Sequence, residues 1–137
     1  MQTAHLVILR RPYLVAILSG QKTIESRFMK RRCPPFGRVK EGDKLFLKIS
    51  AGEVCATAIV AAVKYFEDLT PAKILAIKRR YNEQIRGAEE YWRGRIDCEC
   101  GFLVWLSNVK KIEPVRIKKI DWRAWVVLDK RNNFGLF

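Results

Sequence analysis

The segment Gly20-Gln21-Lys22-Thr23-Ile24-Glu25-Ser26-Arg27 sets three fully charged side chains within six residues on a stretch that has the rhythm of a strand. Successive strand side chains point to opposite faces, so Ile24, Ser26 and Phe28 share one face and Thr23, Glu25 and Arg27 the other. Lys22 does not fit that alternation and is expected on the turn that feeds the strand. The helix that must end before it is equally constrained. Pro12 is a good first-turn residue, Tyr13, Leu14, Ile17 and Leu18 would face inward, and Gly20 suits a left-handed C-terminal cap. With His5-Leu6-Val7-Ile8-Leu9 reading as a buried strand, the chain opens as strand, short helix, charged strand. A charge cluster placed this way reads as the wall of a site.

Downstream, Met29 to Gly42 is expected as a loop carrying Lys30-Arg31-Arg32 and Pro34-Pro35, ended by a turn at Glu41-Gly42-Asp43. Strands are expected over Lys44–Ser50 and Glu53–Phe66, joined by a hairpin turn at Ala51-Gly52. Asp68 or Thr70 can cap the next helix, with Pro71 in its first turn. Its stripe of Ile74, Ile77, Tyr81, Ile85, Ala88 and Trp92 recurs at helical spacing, and Gly87 is a point where it can break in two. A strand follows over Gly101–Ile112. Pro114–Ile120 and Trp125–Leu128 are weaker strand candidates, and Trp122 and Trp125 are expected in the core or at barrel closure. Five or six strands with two or three helices predict an α+β chain built as a small, partly open β-barrel, one domain over residues 1–137.

The chain carries 27 Lys and Arg against 14 Asp and Glu, a net charge of +13. The excess is uneven: 11 cations and 3 acids in residues 1–50, 8 and 8 in residues 51–100, 8 and 3 in residues 101–137. Two basic ends around a neutral middle suggest a polyanion footprint, with a lysine-rich solubilising surface as the alternative. No apolar run approaches the roughly 18 residues of a membrane span, and the N-terminal residues do not read as a signal peptide, so the expected location is the cytoplasm with no membrane partner. His5 is the one histidine, which removes the commonest general base from most of the chain. It is expected to open the first strand rather than to do chemistry. Of the four cysteines, Cys55 lies in an apolar run, and Cys98-Glu99-Cys100 is too tightly spaced for a zinc knuckle. Neither metal nor cofactor is expected. The sequence specifies no oligomeric state.

Gly20-x-Lys22-x-x-Glu25-x-Arg27 resembles the G-x-K-x-x-E-x-R signature of the ASCH domain, with all four fixed positions matched. The lead-in Pro12-Tyr13-Leu14-x-x-Ile17-Leu18 and the Gly42-Asp43 turn are compatible with that family, and the resemblance spans roughly residues 5–115. It implies a PUA-like β-barrel with a cleft beside the motif, in a family associated with RNA or nucleotides. The expected function is therefore binding of RNA or single-stranded nucleic acid. Lys22 and Arg27 would pair with phosphate, and Glu25 would either hold those cations or accept a hydrogen bond from a base amino group; the alternative is an intramolecular ion-pair network that only closes the barrel. Thr23, Lys48 and Ser50 would border the cleft. Arg10, Arg11, Lys30, Arg31 and Arg32 would form a phosphate track, and Tyr91, Trp92, Arg93 and Arg95 would supply aromatic and cationic contacts to unpaired bases, with core packing as the alternative for Trp92, which completes the apolar stripe.

The alternative is an enzyme acting on RNA or a modified nucleoside, with Lys22 and Glu25 as its catalytic residues. Some small members of the superfamily are amidohydrolases for N4-acetylcytidine, in which a motif lysine assists a threonine nucleophile with a glutamate from further along, a place that Glu89 or Glu90 would fill here unless either only pairs along its helix. Here the threonine position, three after the lysine, is Glu25, and a carboxylate does not replace that hydroxyl. Ribonuclease chemistry would instead divide base and phosphate-stabilising roles among Lys22, Glu25 and Arg27.

Overall fold

The computed structural model describes residues 2–119 and 121–137. Strand β1 (Ala4–Leu9) leads into helix α1 (Arg11–Leu18) and strand β2 (Ile24–Met29). Strands β3 (Lys44–Ile49) and β4 (Val54–Phe66) follow, then helices α2 (Pro71–Ile85) and α3 (Glu89–Arg93), and strands β5 (Cys100–Val115) and β6 (Trp125–Leu128). All six strands form one sheet in the order β2-β5-β4-β3-β1-β6. Only β1 and β3 run parallel; the other neighbours are antiparallel.

The sheet curls into a half-barrel. Three register shifts along the β4–β5 ladder bend its longest strands, as an extra residue in one strand of a pair does. The curl brings Phe102 of β5 against Trp125 of β6, ring centroids 5.4 Å apart, although three strands separate β5 from β6 in the sheet. The concave side holds one apolar cluster of Val7, Leu45, Leu47, Ala58, Phe102 and Val104, plugged by Leu14 and Ile17 of α1. A second cluster joins Ile74, Ile77, Ile85 and Trp92 of α2 and α3 to Ile24 and Leu103. A third joins Leu6, Phe46 and Val126, and the C-terminal segment docks on it through Phe134 and Leu136.

The local signals account for the helix ends. Arg10 is extended, α1 carries its proline in the first turn, and Gly20 takes φ +83°, a conformation glycine adopts at little cost. Thr70 caps α2 by accepting from Lys73 N at 3.3 Å. The apolar stripe breaks after Ile85, where Arg86 is left-handed at φ 60°.

Three expectations need correction. Pro114–Ile120 is not a separate strand: Pro114 and Val115 end β5, residues 116–119 are irregular, and Ile120 lies outside the described residues. Trp125 is buried, but Trp122 is fully exposed and closes nothing. The helix before β2 begins at Arg11, one residue earlier than its proline suggested. No helix among the described residues is long and apolar enough to cross a membrane. All four cysteines are free, and no described cluster of His, Cys, Asp or Glu could hold a metal ion.

Candidate functional site

The charged segment folds into a buried ion-pair network. Lys22 is 2% exposed, and its Nζ donates to Ile24 O at 2.8 Å and to Ile85 O at the end of α2. Its third contact is Glu25 Oε1 at 3.3 Å, so all three ammonium protons have acceptors. Glu25 Oε1 also accepts from Ser26 N at 3.0 Å, and Oε2 accepts from Arg27 Nη2 at 3.0 Å. Arg27 then reaches across the open side of the half-barrel. Its Nη2 donates to Ile8 O at 3.0 Å, its Nη1 to Ala124 O at 3.3 Å, and its guanidinium sits 5.3 Å from the centre of the Trp125 ring. One side chain of an edge strand thus ties β2 to β1 and to the approach to β6.

Burial pushes the Lys22 ammonium below the ordinary lysine range, with Glu25 opposing the shift. Burial would raise the Glu25 carboxyl, but Lys22, Arg27 and the hydrogen bonds from Arg27 and Ser26 outweigh it and hold the group below the usual carboxylate range. Glu25 is therefore a fixed negative charge between two cations.

A support column stands behind Arg27. Trp125 Nε1 donates to His5 Nδ1 at 3.1 Å, so the imidazole proton lies on Nε2, which donates to Asp43 Oδ2 at 2.9 Å. Asp43 also accepts from the backbone N–H groups of Thr3 and Lys40. His5 is fully buried, and burial lowers its pKa despite Asp43. It opens β1 as expected, and in addition orients the indole beneath the motif arginine.

Above this floor lies a cleft of about 600 Å³. Lys22, Glu25 and Arg27 line its base, Arg10 and Tyr13 one wall, and Glu90, Tyr91 and Arg95 another. Tyr91 Oη donates to Ser26 O at 3.1 Å and lies 2.7 Å from Ser26 Oγ; burial pushes its pKa up to about 12, so it stays a neutral phenol. Arg95 stacks on the Tyr91 ring, 4.4 Å from its centroid. The third wall is the turn after α2. Asn82 holds that turn by accepting from Gly87 N and Trp92 Nε1 and donating to Gly87 O. A side chain at Gly87 would meet Trp92 Nε1 at 2.8 Å.

Of the residues singled out in the sequence, Lys22, Glu25, Arg27, Arg10, Ser50, Glu90, Tyr91 and Arg95 converge on this cleft. Thr23 does not: it is exposed and lines a separate hollow with Ile17, Leu18, Leu106 and Val109. Lys48 is buried, its Nζ donating to Ile49 O at 3.1 Å, and does not line the cleft. Trp92 is 2% exposed and packs in the second apolar cluster, leaving no ring face for a base, while Arg93 is exposed outside the cleft. Arg11, Lys30 and Arg31 are exposed beyond the rim, and Arg32 is engaged with Glu67 at 2.7 Å and with the Phe36 ring. The site residues that sequence reasoning passed over are Tyr13, read as facing the core, and Ser26, placed by strand alternation on the face away from Glu25 and Arg27 although all three line the cleft. The bend at Arg86 turns α3, so the stripe of α2 does not say which residues of α3 face the cleft.

The chain matches no family model and no curated protein sequence. Solved structures do match. ASCH from Zymomonas mobilis superposes with a TM-score of 0.72 over 94% of this chain and 90% of its own, at 18% identity. The chain has the ASCH fold. A single-residue variant of the Zymomonas ASCH protein superposes at TM-score 0.72 over 94% of this chain and 92% of its own, again at 18% identity. A hypothetical protein of known structure aligns more loosely, at TM-score 0.52 and 15% identity over 80% of this chain and 97% of its own. The architecture is therefore that of the ASCH fold, an α+β half-barrel of six strands and three helices among the described residues.

Proposed function

We propose that the cleft binds RNA, or single-stranded nucleic acid, by seating one nucleotide against the Lys22–Glu25–Arg27 floor. The observation that carries this reading is the convergence of Arg10, Arg27 and Arg95 with the rings of Tyr13 and Tyr91 on one cleft of about 600 Å³. That volume is within the range of small-ligand sites, and cations interleaved with aromatics suit phosphate and base together. Among the described residues, the Arg10 and Arg95 guanidiniums have no ion-pair partner, so they are the groups free to meet phosphate. Arg27 keeps its Nε proton and one Nη1 proton for the same purpose. Lys22 has spent its three protons on Ile24 O, Ile85 O and Glu25, and Glu25 is held by Lys22, Arg27 and Ser26 N. Their part is to position Arg27 and the turn after α2.

The enzymatic alternatives find less support. Catalysis by Lys22 would require releasing it from Ile24 O, Ile85 O and Glu25, and Thr23, just ahead of β2, lines the neighbouring hollow rather than the cleft.

Fluorescence anisotropy with a labelled single-stranded RNA of about ten nucleotides tests the proposal, with the salt varied from about 50 to 200 mM. Affinity should fall steeply with salt. The pair Arg10→Ala and Arg95→Ala should weaken binding at least about tenfold, a loss of ~1.4 kcal/mol, without lowering the melting temperature. Salt-independent binding, or wild-type affinity in the double variant, would overturn it. The same samples, assayed for cleavage of the RNA and for hydrolysis of N4-acetylcytidine, should show no turnover; metal-free turnover lost in Lys22→Met would establish the enzyme instead.

A further inference from the structure

Two carboxylates line the cleft, Glu25 and Glu90, and they differ in what they hold. Glu25, at the floor, is engaged by Lys22, Arg27 and Ser26 N. Glu90 is exposed and forms no ion pair among the described residues, not even with Arg95 on the same wall. Its neighbour Glu89 is committed elsewhere, to Lys78 of α2 at 2.8 Å. Successive helix residues point about 100° apart, so α3 sends one acid of its first turn to α2 and the other to the cleft. The helix is pinned in that orientation. Asn82 holds Gly87 N and Trp92 Nε1, Ala88 N donates to Tyr13 Oη at 3.4 Å, and Tyr91 Oη donates to Ser26 O at 3.1 Å.

The two ends of the cleft have different chemistry. At one end Arg27 donates to Ile8 O at 3.0 Å, and Ser50 N donates to Leu9 O at 2.7 Å. Those bonds gather Arg27, Ser50 and Arg10 around the end of β1, with no acid beside them except the engaged Glu25. Phosphate suits that end. At the other end the rings of Tyr13 and Tyr91 meet edge-on, their centroids 6.3 Å apart, and the small residues Gly87 and Ala88 leave room next to Glu90. A free carboxylate beside aromatic rings suits a base that offers hydrogen-bond donors.

We propose that this second end reads guanine, with Glu90 accepting from its N1–H and from its N2 amino group. This deepens the nucleic-acid reading of the cleft and rests on it. An ionised carboxylate offers two parallel acceptors, and two adjacent coplanar donors satisfy both at once, as they do in a guanidinium–carboxylate pair. Guanine carries such a pair of donors on its Watson–Crick edge. Cytosine and adenine present one amino group next to a ring acceptor. Uracil presents one N–H between two carbonyl oxygens. Each of those three sets an acceptor against the carboxylate. The choice of base therefore falls to Glu90, while Arg10 and Arg27 hold the phosphate whatever the base.

Oligouridines of about ten nucleotides with guanosine, inosine, adenosine, cytidine or uridine at the centre test this in a competition followed by fluorescence anisotropy. The wild-type protein should bind the guanosine oligomer at least about tenfold more tightly than the all-uridine one, with inosine, which lacks the N2 amino group, between them. Glu90→Gln should remove that preference and leave all-uridine binding unchanged or tighter, because the lost charge no longer repels phosphate. Its melting temperature should match wild type, since the side chain is exposed and unpaired. Glu89→Gln, altered at the acid that faces Lys78, should keep the guanosine preference. Equal binding of all five oligomers, or a guanosine preference that survives Glu90→Gln, would overturn the guanine assignment while the cleft stands. A preference for cytidine or adenosine that is lost in Glu90→Gln would overturn it too, and would give Glu90 a single amino group to read. If no oligomer binds the wild-type protein, the cleft reading itself falls and the base assignment with it.

Discussion

Glu25→Ala is the perturbation that tests the site most directly. The carboxylate is 8% exposed and bridges Lys22, 2% exposed, and Arg27, 19% exposed. Removing it strips Ser26 N of its acceptor and leaves two cations facing each other with no charge between them. Arg27 can recover some hydration, but Lys22 cannot. Deleting one partner of a buried pair costs about 3–5 kcal/mol, and the loss here should lie in that range. At 137 residues, each kcal/mol corresponds to roughly 4 °C, so the melting temperature should fall by about 12–20 °C. Urea denaturation followed by tryptophan fluorescence gives the free energy, with the slope against urea unchanged if the denatured state is unaffected. Lys22→Met supplies the second edge of a double-mutant cycle, and the double variant should be more stable than the sum of the single losses by about 2–3 kcal/mol. The sign with pH follows from the depressed carboxyl. The Glu25 contribution is present above the ordinary carboxylate value of about 4.3 and is lost as pH falls through the lower folded value. The gap between wild type and Glu25→Ala should therefore narrow in strong acid. A loss below about 1 kcal/mol, or strict additivity with Lys22→Met, would refute the buried network.

Two further outcomes can be checked on the same protein. Because His5 is the one histidine, its imidazole resonances titrate without overlap. Burial should hold the midpoint below the ordinary 6.5, so stability rises with pH up to about that value and levels above it; a midpoint at or above 6.5 would contradict the buried neutral ring. Gly101→Ala should destabilise by at least about 2 kcal/mol, because its Cβ would lie 2.4 Å from Phe28 Cδ1 and 2.5 Å from Arg27 O; an unchanged urea midpoint would show that β2 yields freely there.

The local elements were legible because their signals are local. The proline in α1, Gly20 and Thr70 mark helix ends through backbone rules that need no tertiary partner. The spacing of Ile74, Ile77 and Ile85 names a buried face, and those three residues are buried. Trp122 and Trp125 show where such reasoning stops. They are the same residue type three positions apart, yet one is wholly in water and the other lies between Phe102, His5 and Arg27. Composition supplied the basic character, but not which cations are free. Arg32 and Arg95 look alike in the sequence, and only the folded chain gives the first a carboxylate and the second a cleft.

What the sequence by itself determined is the order of strands and helices and the presence of a charged strand after a capped turn. Periodicity, capping and turn chemistry act over a few residues and survive without knowledge of the whole. The tertiary structure decided the meaning of that charged strand. Lys22 is committed to Ile24 O, Ile85 O and Glu25, a set that includes a carbonyl 63 residues away. Arg27 is committed to Ile8 O and Ala124 O, the latter 97 residues away. Those partners exist only because the sheet curls and the chain after α2 bends toward the cleft. The fold also brings to the cleft Arg10 and Arg95, which have no ion-pair partner among the described residues, so the motif residues frame the cleft while neighbours outside the motif offer its free charges.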